Sequence, residues 1–486
     1  MMLRAQWAQN ERLPFPLAQL QSSLIEAPRP GRALNALLGS RAFWIALSLV
    51  FVAQSLVALG KYLPLYFPKF TLTYDLATVF SEAPLSYFSG QVKKNTVYFT
   101  LIGLMFFVQT RVAFSIWFTF LFIELLKVQQ RSLGSEIPGG AFADQHLGAC
   151  VAFALGVAWV GRHHWGRILR HAFYKRRPDE KLPQFGSYRV AFFVFVGGLA
   201  TMVGWLLWFG VQWPMALLIV SVLLLAHLVT ARVVAETGLP LTRSNPHASQ
   251  VYTLYPETSV SQRDVFFAGV FTANGAYNTR ESTLVYTQHG MWVTDATDPP
   301  RSQRKALFVL IGWTLVLGYA VGSASSLWCY YNYVTPINAN AQQSVLNNHG
   351  TEILPNNELV KPLTRHAAGQ WEPKKNNPYL NFGIGAAVTG FLQIASLRWA
   401  AWPLPPIGYI VSATWFIYPT WFSVFLGWVA KVLVVKFGGA KLFTAAKPFF
   451  VGLIFGEALA VGFWLIVNLV LAWAGVEYEA LNFLPA

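Results

Sequence analysis

The stretch LLLAHLVTARVVAETGLPLTRSNPH, residues 223–247, decides how the chain is read. It starts as an apolar helix suited to lipid, then carries Arg232 and Glu236, and stops at Gly238 and Pro240. Residues four apart share a helix face, so Arg232 and Glu236 point the same way. His227 falls on the opposite face. Glycine and proline just beyond a last turn are ordinary stop signals. Two readings are open. In one, the charged turn is where a membrane helix reaches the headgroups. In the other, the helix ends inside the protein and faces a vestibule lined by Arg243, Asn245 and His247.

The rest of the chain makes lipid the environment. Of 486 residues, 55% are hydrophobic, 16% aromatic and only 12% charged, about half the charged share of a soluble protein. The mean hydropathy is positive. Apolar runs close to twenty residues, with little between them but loops, indicate an all-α polytopic integral membrane protein. About eleven membrane segments are expected from run lengths, some short or broken. They fall near 42–60, 96–109, 112–128, 146–161, 188–209, 212–235, 304–330, 381–399, 408–417, 420–435 and 448–473. The organisation is then a cytoplasmic segment 1–41, a first bundle 42–240, and a connecting region 241–303. A helix at 304–330, an extracytoplasmic loop 331–380 and a C-terminal bundle 381–486 complete it.

A net charge of +15 would point to nucleic acid in a soluble protein. Here the basic residues cluster in loops, as the positive-inside rule requires, so no nucleic-acid partner is expected. The arginines before residue 42 set the N-terminus in the cytoplasm. The loop RHHWGRILRHAFYKRRPDEK (162–181), Arg301 to Lys305, and Lys436, Lys441 and Lys447 belong on the same side, and the C-terminus on the other. Residues 1–41 lack an apolar core, so no cleaved signal peptide is expected. Cys150 and Cys329 both lie in or beside apolar segments and form no disulfide or metal pattern. Walker, HExxH and CxxC motifs are missing, as is any nucleophile–base pair. The chain reads as a non-enzyme without cofactor or metal.

The connecting region holds TSVSQRDVFFAGVFTANGAYNTR (258–280), in which Ser261 and Asp264 have capping-box spacing. It reads either as a short helix at the interface or lining a cavity, or as an amphipathic cytoplasmic loop.

Two stretches resemble each other. GLMFFVQTRVAFSIWFTFLFIELLK (103–127) and GYIVSATWFIYPTWFSVFLGWVAK (408–431) each run from a glycine through a short apolar segment to a break. The break is at Gln109–Arg111 in one and Pro419 in the other. Each continues through Trp-Phe to a lysine, Lys127 or Lys431. Broken helices at membrane depth are tolerated only inside protein or beside water. The loop charges start the first pair outside and the second inside, an inverted repeat of the kind that builds secondary transporters.

Glu457 lies in FFVGLIFGEALAVGFWLIVNLVLAWAG (449–475), well inside an apolar run. A lone carboxylate at that depth costs several kcal/mol unless paired or protonated. Lys431, on the preceding helix, is the nearest partner in sequence. The pair is either a structural helix-to-helix bridge or a site for a coupling ion or substrate. Glu124 and Lys127 form a second pair nearer a helix end.

Six segments carry a family resemblance. NERLPFPLAQLQSSL (10–24), SIWFTFLFIELLKV (115–128), ARVVAETGLP (231–240), PLPPIGYI (403–410), WFSVFLGWVAKVLVVKFGGAKLF (421–443) and KPFFVGLIFGEAL (447–459) resemble an uncharacterised family of bacterial polytopic membrane proteins. LPFPLAQ is also similar to a segment of the oligopeptide transporter superfamily. That resemblance implies a secondary transporter fold with inverted repeats, and puts Arg232, Glu236, Lys431 and Glu457 on family-typical motifs without giving them roles. Members of the family carry further membrane segments before the position of ERLPFPLAQL. The chain therefore resembles their C-terminal portion, and self-association or other membrane subunits are expected as partners besides lipid.

Two functions follow as expectations. One is secondary transport of a small solute or peptide, with Arg232, Glu236, Lys431 and Glu457 as candidate ion or substrate ligands. The other is a non-transporting subunit that anchors a larger membrane complex. The expected location is a bacterial inner membrane.

Overall fold

The computed structural model describes residues 1–28, 30–135, 139–174, 185–240, 242, 255, 259–274, 282–297, 300–332, 360–370, 377–476 and 478–479. The protein is all-α and polytopic. Its helices include Pro16–Ile25 (α1), Arg41–Tyr62 (α2), Phe99–Phe107 (α3), Thr110–Ser132 (α4), Gly139–Val160 (α5), Arg162–Phe173 (α6), Tyr188–Trp208 (α7) and Trp213–Thr237 (α8). Gln262–Asn274 (α9), Thr283–Ala296 (α10), Arg301–Asn332 (α11), Lys361–Ala367 (α12), Pro378–Arg398 (α13), Pro406–Ser412 (α14) and Ile417–Trp473 (α15) follow. Among the described residues, eight helices are long and apolar enough to cross a membrane. Every segment read from the sequence contains a helix. Gly439, at φ 58°, divides α15 into arms 417–438 and 440–473, a backbone conformation that favours glycine. Two short antiparallel strands, Thr73–Asp75 (β1) and Lys94–Thr96 (β2), lie in the loop before α3. Most of the expected loop 331–380 and the vestibule residues Arg243, Asn245 and His247 lie outside the described residues.

The chain forms two compact units. The first comprises Met1–Leu13, Ala143–Ala231 and Ser244–Ala386. Within it, α9 begins as the sequence predicts. Ser261 Oγ donates to Asp264 Oδ2 at 2.7 Å, and the Asp264 amide donates back to Ser261 Oγ at 3.2 Å. Asp264 Oδ1 also accepts from the Gln212 amide at 2.9 Å, which ties the start of α9 to the α7–α8 turn. Val265 and Ala268 then bury against Leu206, Met215 and Ile219. Within 258–280 the chain is thus α-helical over Gln262–Asn274, with one face in the core.

Helices α5 and α13 meet backbone to backbone. A Cβ at Gly148 would overlap the Phe382 carbonyl, and one at Gly385 would overlap the Gln145 carbonyl. Small residues at such crossings let membrane helices gain close packing where no hydrophobic force draws them together. The N-terminal residues are held by polar contacts: Arg4 and Arg304 both pair with Asp295, and His164 Nε2 lies 2.7 Å from the Met2 carbonyl. Burial pulls the His164 pKa below its usual value.

The second unit comprises Pro14–Phe142, Arg232–Arg243 and Ala387–Ala486. Its centre is α15, whose arms fold back on each other: Ala430 and Val434 share a cluster with Phe443 and Phe450. Helix α2 runs parallel to the second arm, with Phe43 near Phe455, Phe51 against Phe463, and Tyr62 stacked on Trp464 at 5.7 Å. Gly452 and Gly456 allow this approach, since a Cβ at Gly456 would lie 2.7 Å from the Leu47 carbonyl.

Both broken pairs are present. Val108 and Gln109 are extended, at ψ 150° and 134°, and separate α3 from α4. The second break is corrected in position. It occupies residues 413–416, and Pro419 lies in the first turn of α15. Proline has no N–H to donate and is tolerated in a first turn, so it starts this helix rather than breaking it.

The contacts fix directions. Tyr98 meets Ser423, Met105 meets Gly427 and Val108 meets Lys431, so α3 runs parallel to the first arm of α15. Phe114 meets Trp428, Trp117 meets Phe425 and Phe120 meets Tyr418, so α4 runs antiparallel to it. Helices α3 and α4 therefore form a hairpin that turns back at Val108–Gln109.

Candidate functional site

Start with α3, nine residues long. The first amides and last carbonyls of any helix lack partners within it. In an apolar setting those groups must be satisfied by protein. At the start, the Tyr98 amide donates to Ser423 Oγ at 2.9 Å. The next two amides go to one carboxylate: Phe99 to Glu457 Oε1 at 3.3 Å and Thr100 to Oε2 at 2.7 Å. At the other end, Lys431 Nζ donates to the Val108 carbonyl. A helix carries partial positive charge at its N-terminus and partial negative charge at its C-terminus. Glu457 and Lys431 match both signs.

This places two of the sequence-predicted residues. Glu457 is fully buried and satisfied, with a further bond from Gln54 Nε2 at 2.9 Å. Its partner is not Lys431, the nearest cation in sequence, but backbone amides and a glutamine. Lys431, 8% exposed, sits at the far end of the same short helix, roughly 13 Å away by helical rise.

The pattern is reciprocal. Helix α3 packs on the first arm of α15, and α14 packs on α4, where a Cβ at Gly408 would lie 2.5 Å from the Ser115 carbonyl. Each short helix thus lies against the long helix of the other pair. The repeat lysines follow suit. Lys431 reaches the break after α3, while Lys127 Nζ lies 5.8 Å from the ring of Tyr418, just past the break after α14. Lys127 also pairs with buried Glu124 at 2.7 Å.

Arg232 and Glu236 pair with each other at 2.6 Å. Their helix ends inside protein. Ala235, Thr237 and Leu239 are all fully buried. The Phe15 amide donates to the Ala235 carbonyl at 2.9 Å, and Pro16 packs on Gly238, whose φ is +64°. The LPFPLAQ segment therefore closes the end of α8. The end of the helix is thus packed against protein, as the second reading of residues 223–247 requires, while the vestibule residues of that reading lie outside the described residues.

A cleft of about 600 Å³ adjoins the Glu457 cluster. Gln54, Thr96 and Val97 line it, with Lys61, Lys69 and Glu479 among its charged groups. Gln54 bonds Glu457, and Thr96 accepts from Ser423 Oγ at 3.1 Å. Cleft wall and buried carboxylate are thus one bond apart. Sequence reasoning misses Gln54. Its signal is faint: an amide inside the apolar run IALSLVFVAQSLVAL (45–59). Among the described residues no group of three or more His, Cys, Asp or Glu could hold a metal.

The chain belongs to a family of unknown function (DUF6785), whose match covers residues 1–480. No curated protein matches it.

Proposed function

We propose that the chain is a secondary transporter of a small solute or peptide, coupled through the charge on Glu457. The observation that carries this reading is the reciprocal packing of two broken helix pairs, each short helix lying against the other pair's long one. Secondary transporters build their sites at discontinuous helices related in this inverted way. The likeness of LPFPLAQ to the oligopeptide transporter superfamily supports the same reading.

Gln54 both lines the cleft and donates to Glu457. A proton on Glu457 weakens its hold on the Phe99 and Thr100 amides. A solute in the cleft meets Gln54 and Thr96–Val97, which belong to the same cluster. Two ligands that bias one arrangement of a shared element are coupled, and reciprocally so. In this reading Glu457 takes the coupling proton and Lys431 anchors the opposite end of α3. Arg232 and Glu236 belong to the framework. No covalent chemistry, cofactor or metal is assigned. The orientation is that of a bacterial inner membrane with the N-terminus in the cytoplasm, and the cleft opens to the outside.

The test is proton movement in proteoliposomes with a trapped pH-sensitive dye, challenged with single amino acids, dipeptides and organic anions. At least one solute should drive proton flux in the wild type and not in Glu457→Gln. Equal solute-driven flux in both proteins would contradict the coupling role.

One observation favours a second reading, that of a non-transporting subunit. The apolar window of Ala306–Trp328 has none of its residues buried, which leaves that span free to pack on another membrane chain as well as on lipid. A stable complex or oligomer in detergent, with no solute flux from any member of the panel, would favour it.

A further inference from the structure

We propose that α6 lies in the membrane surface and docks anionic phospholipid headgroups. The helix has three stripes. Residues three and four apart align on a helix. His164, Ile168 and Ala172 are buried and form the inner stripe. Trp165, Leu169 and Phe173 form the next, with Leu169 48% and Phe173 65% exposed. His163, Arg167, Arg170 and His171 form the third. A soluble protein has little reason to expose an apolar stripe beside a basic one. A helix whose apolar side dips into the acyl boundary while its cations meet phosphates has this arrangement.

The packing fixes the angle. His164 and His171 both contact Tyr188, and Phe173 contacts Phe192 and Phe193. The whole of α6 thus stays within the first two turns of α7 and crosses its end. It does not run alongside. Helix α7 is one of the apolar spans, with only 6% of its window buried, so a helix across its end lies close to the membrane plane. Trp159, 66% exposed at the end of the α5 span, marks the same level, and the Arg162 guanidinium lies 4.8 Å from its ring centre. Aromatic rings of this kind gather at the membrane–water interface.

The charge selects the lipid. Arg162 and Arg167 are exposed and α6 itself carries no acidic side chain, while the carboxylate of Glu11 acts on the buried His164 of the inner stripe. Cations held at headgroup depth favour an anionic phosphodiester over a zwitterionic one, and the preference fades with salt.

The test attaches an environment-sensitive fluorophore at Gly166→Cys, an open position on α6, in a protein with Cys150 and Cys329 replaced. In nanodiscs, quenching by spin-labelled phosphatidylglycerol is compared with quenching by spin-labelled phosphatidylcholine. Phosphatidylglycerol should quench half-maximally at a mole fraction about ten-fold lower, and Arg162→Gln with Arg167→Gln should erase the difference. Leu169→Glu should reduce quenching by both lipids. Equal quenching by the two lipids in the parent protein, or a preference that survives the double arginine substitution, would overturn the proposal. So would the absence of quenching by either, which would put α6 against water or protein.

Discussion

Glu457→Ala is expected to destabilise the protein by about 3–5 kcal/mol, because it removes a fully buried carboxylate that three donors share. The Phe99 and Thr100 amides and the Gln54 side chain would all lose their partner at once. That cost is a large part of the roughly 5–15 kcal/mol that typically holds a fold together. Glu457→Gln keeps one acceptor oxygen and should cost about 1–2 kcal/mol. Thermal unfolding followed by size exclusion in detergent would read both. A Glu457→Ala protein as stable as wild type would mean that water already satisfies the start of α3, and the coupling role would lose its basis.

Gly385→Val is expected to have an effect of similar size by a different route. Its Cβ would meet the Gln145 carbonyl, and the facing Gly148 has no room to yield because it meets the Phe382 carbonyl. Overpacking commonly costs about 1–3 kcal/mol, and more when backbone must move. Here both obstacles are backbone, so about 3 kcal/mol or more is expected, with loss of monodisperse protein. Gly383, where an added Cβ would meet nothing within 4 Å, serves as the control: Gly383→Val should purify normally. If Gly385→Val purifies equally well, α5 and α13 do not cross as described.

The membrane segments were legible because run length and apolar composition are one-dimensional properties. So was the start of α9, since a capping box needs only Ser261 and Asp264 at their spacing. The break near Gln109 was legible for a related reason: the polar run Gln109-Thr110-Arg111 interrupts an apolar one. The position of the second break was not, because Pro419 carries the stronger local signal although residues 413–416 form the turn.

The partner of Glu457 was beyond reach for a deeper reason. A sequence scan for charge partners looks for a cation, and Lys431 is the nearest. Two of its three donors are backbone amides at a helix start 357 and 358 residues away, and backbone amides leave no mark on composition. The end of α8 is a similar case. Whether Arg232 and Glu236 meet headgroups or protein depends on Phe15 and Pro16 folding back onto Ala235 and Gly238, a tertiary contact that no helix-stop pattern encodes.

The inverted relation of the two broken pairs is the central claim, and two-sided cysteine labelling tests it most directly. Because α4 and the first arm of α15 run antiparallel, their ends at residues 132 and 438 face opposite sides of the membrane. Leu133, 75% exposed, and Phe437, 76% exposed, are accessible positions beside those ends. In sealed vesicles of a protein lacking Cys150 and Cys329, an impermeant maleimide applied from outside should label Leu133→Cys and spare Phe437→Cys. Opening the vesicles should expose the second site. Labelling of both positions from the same side would contradict the inverted arrangement, and with it the transport reading.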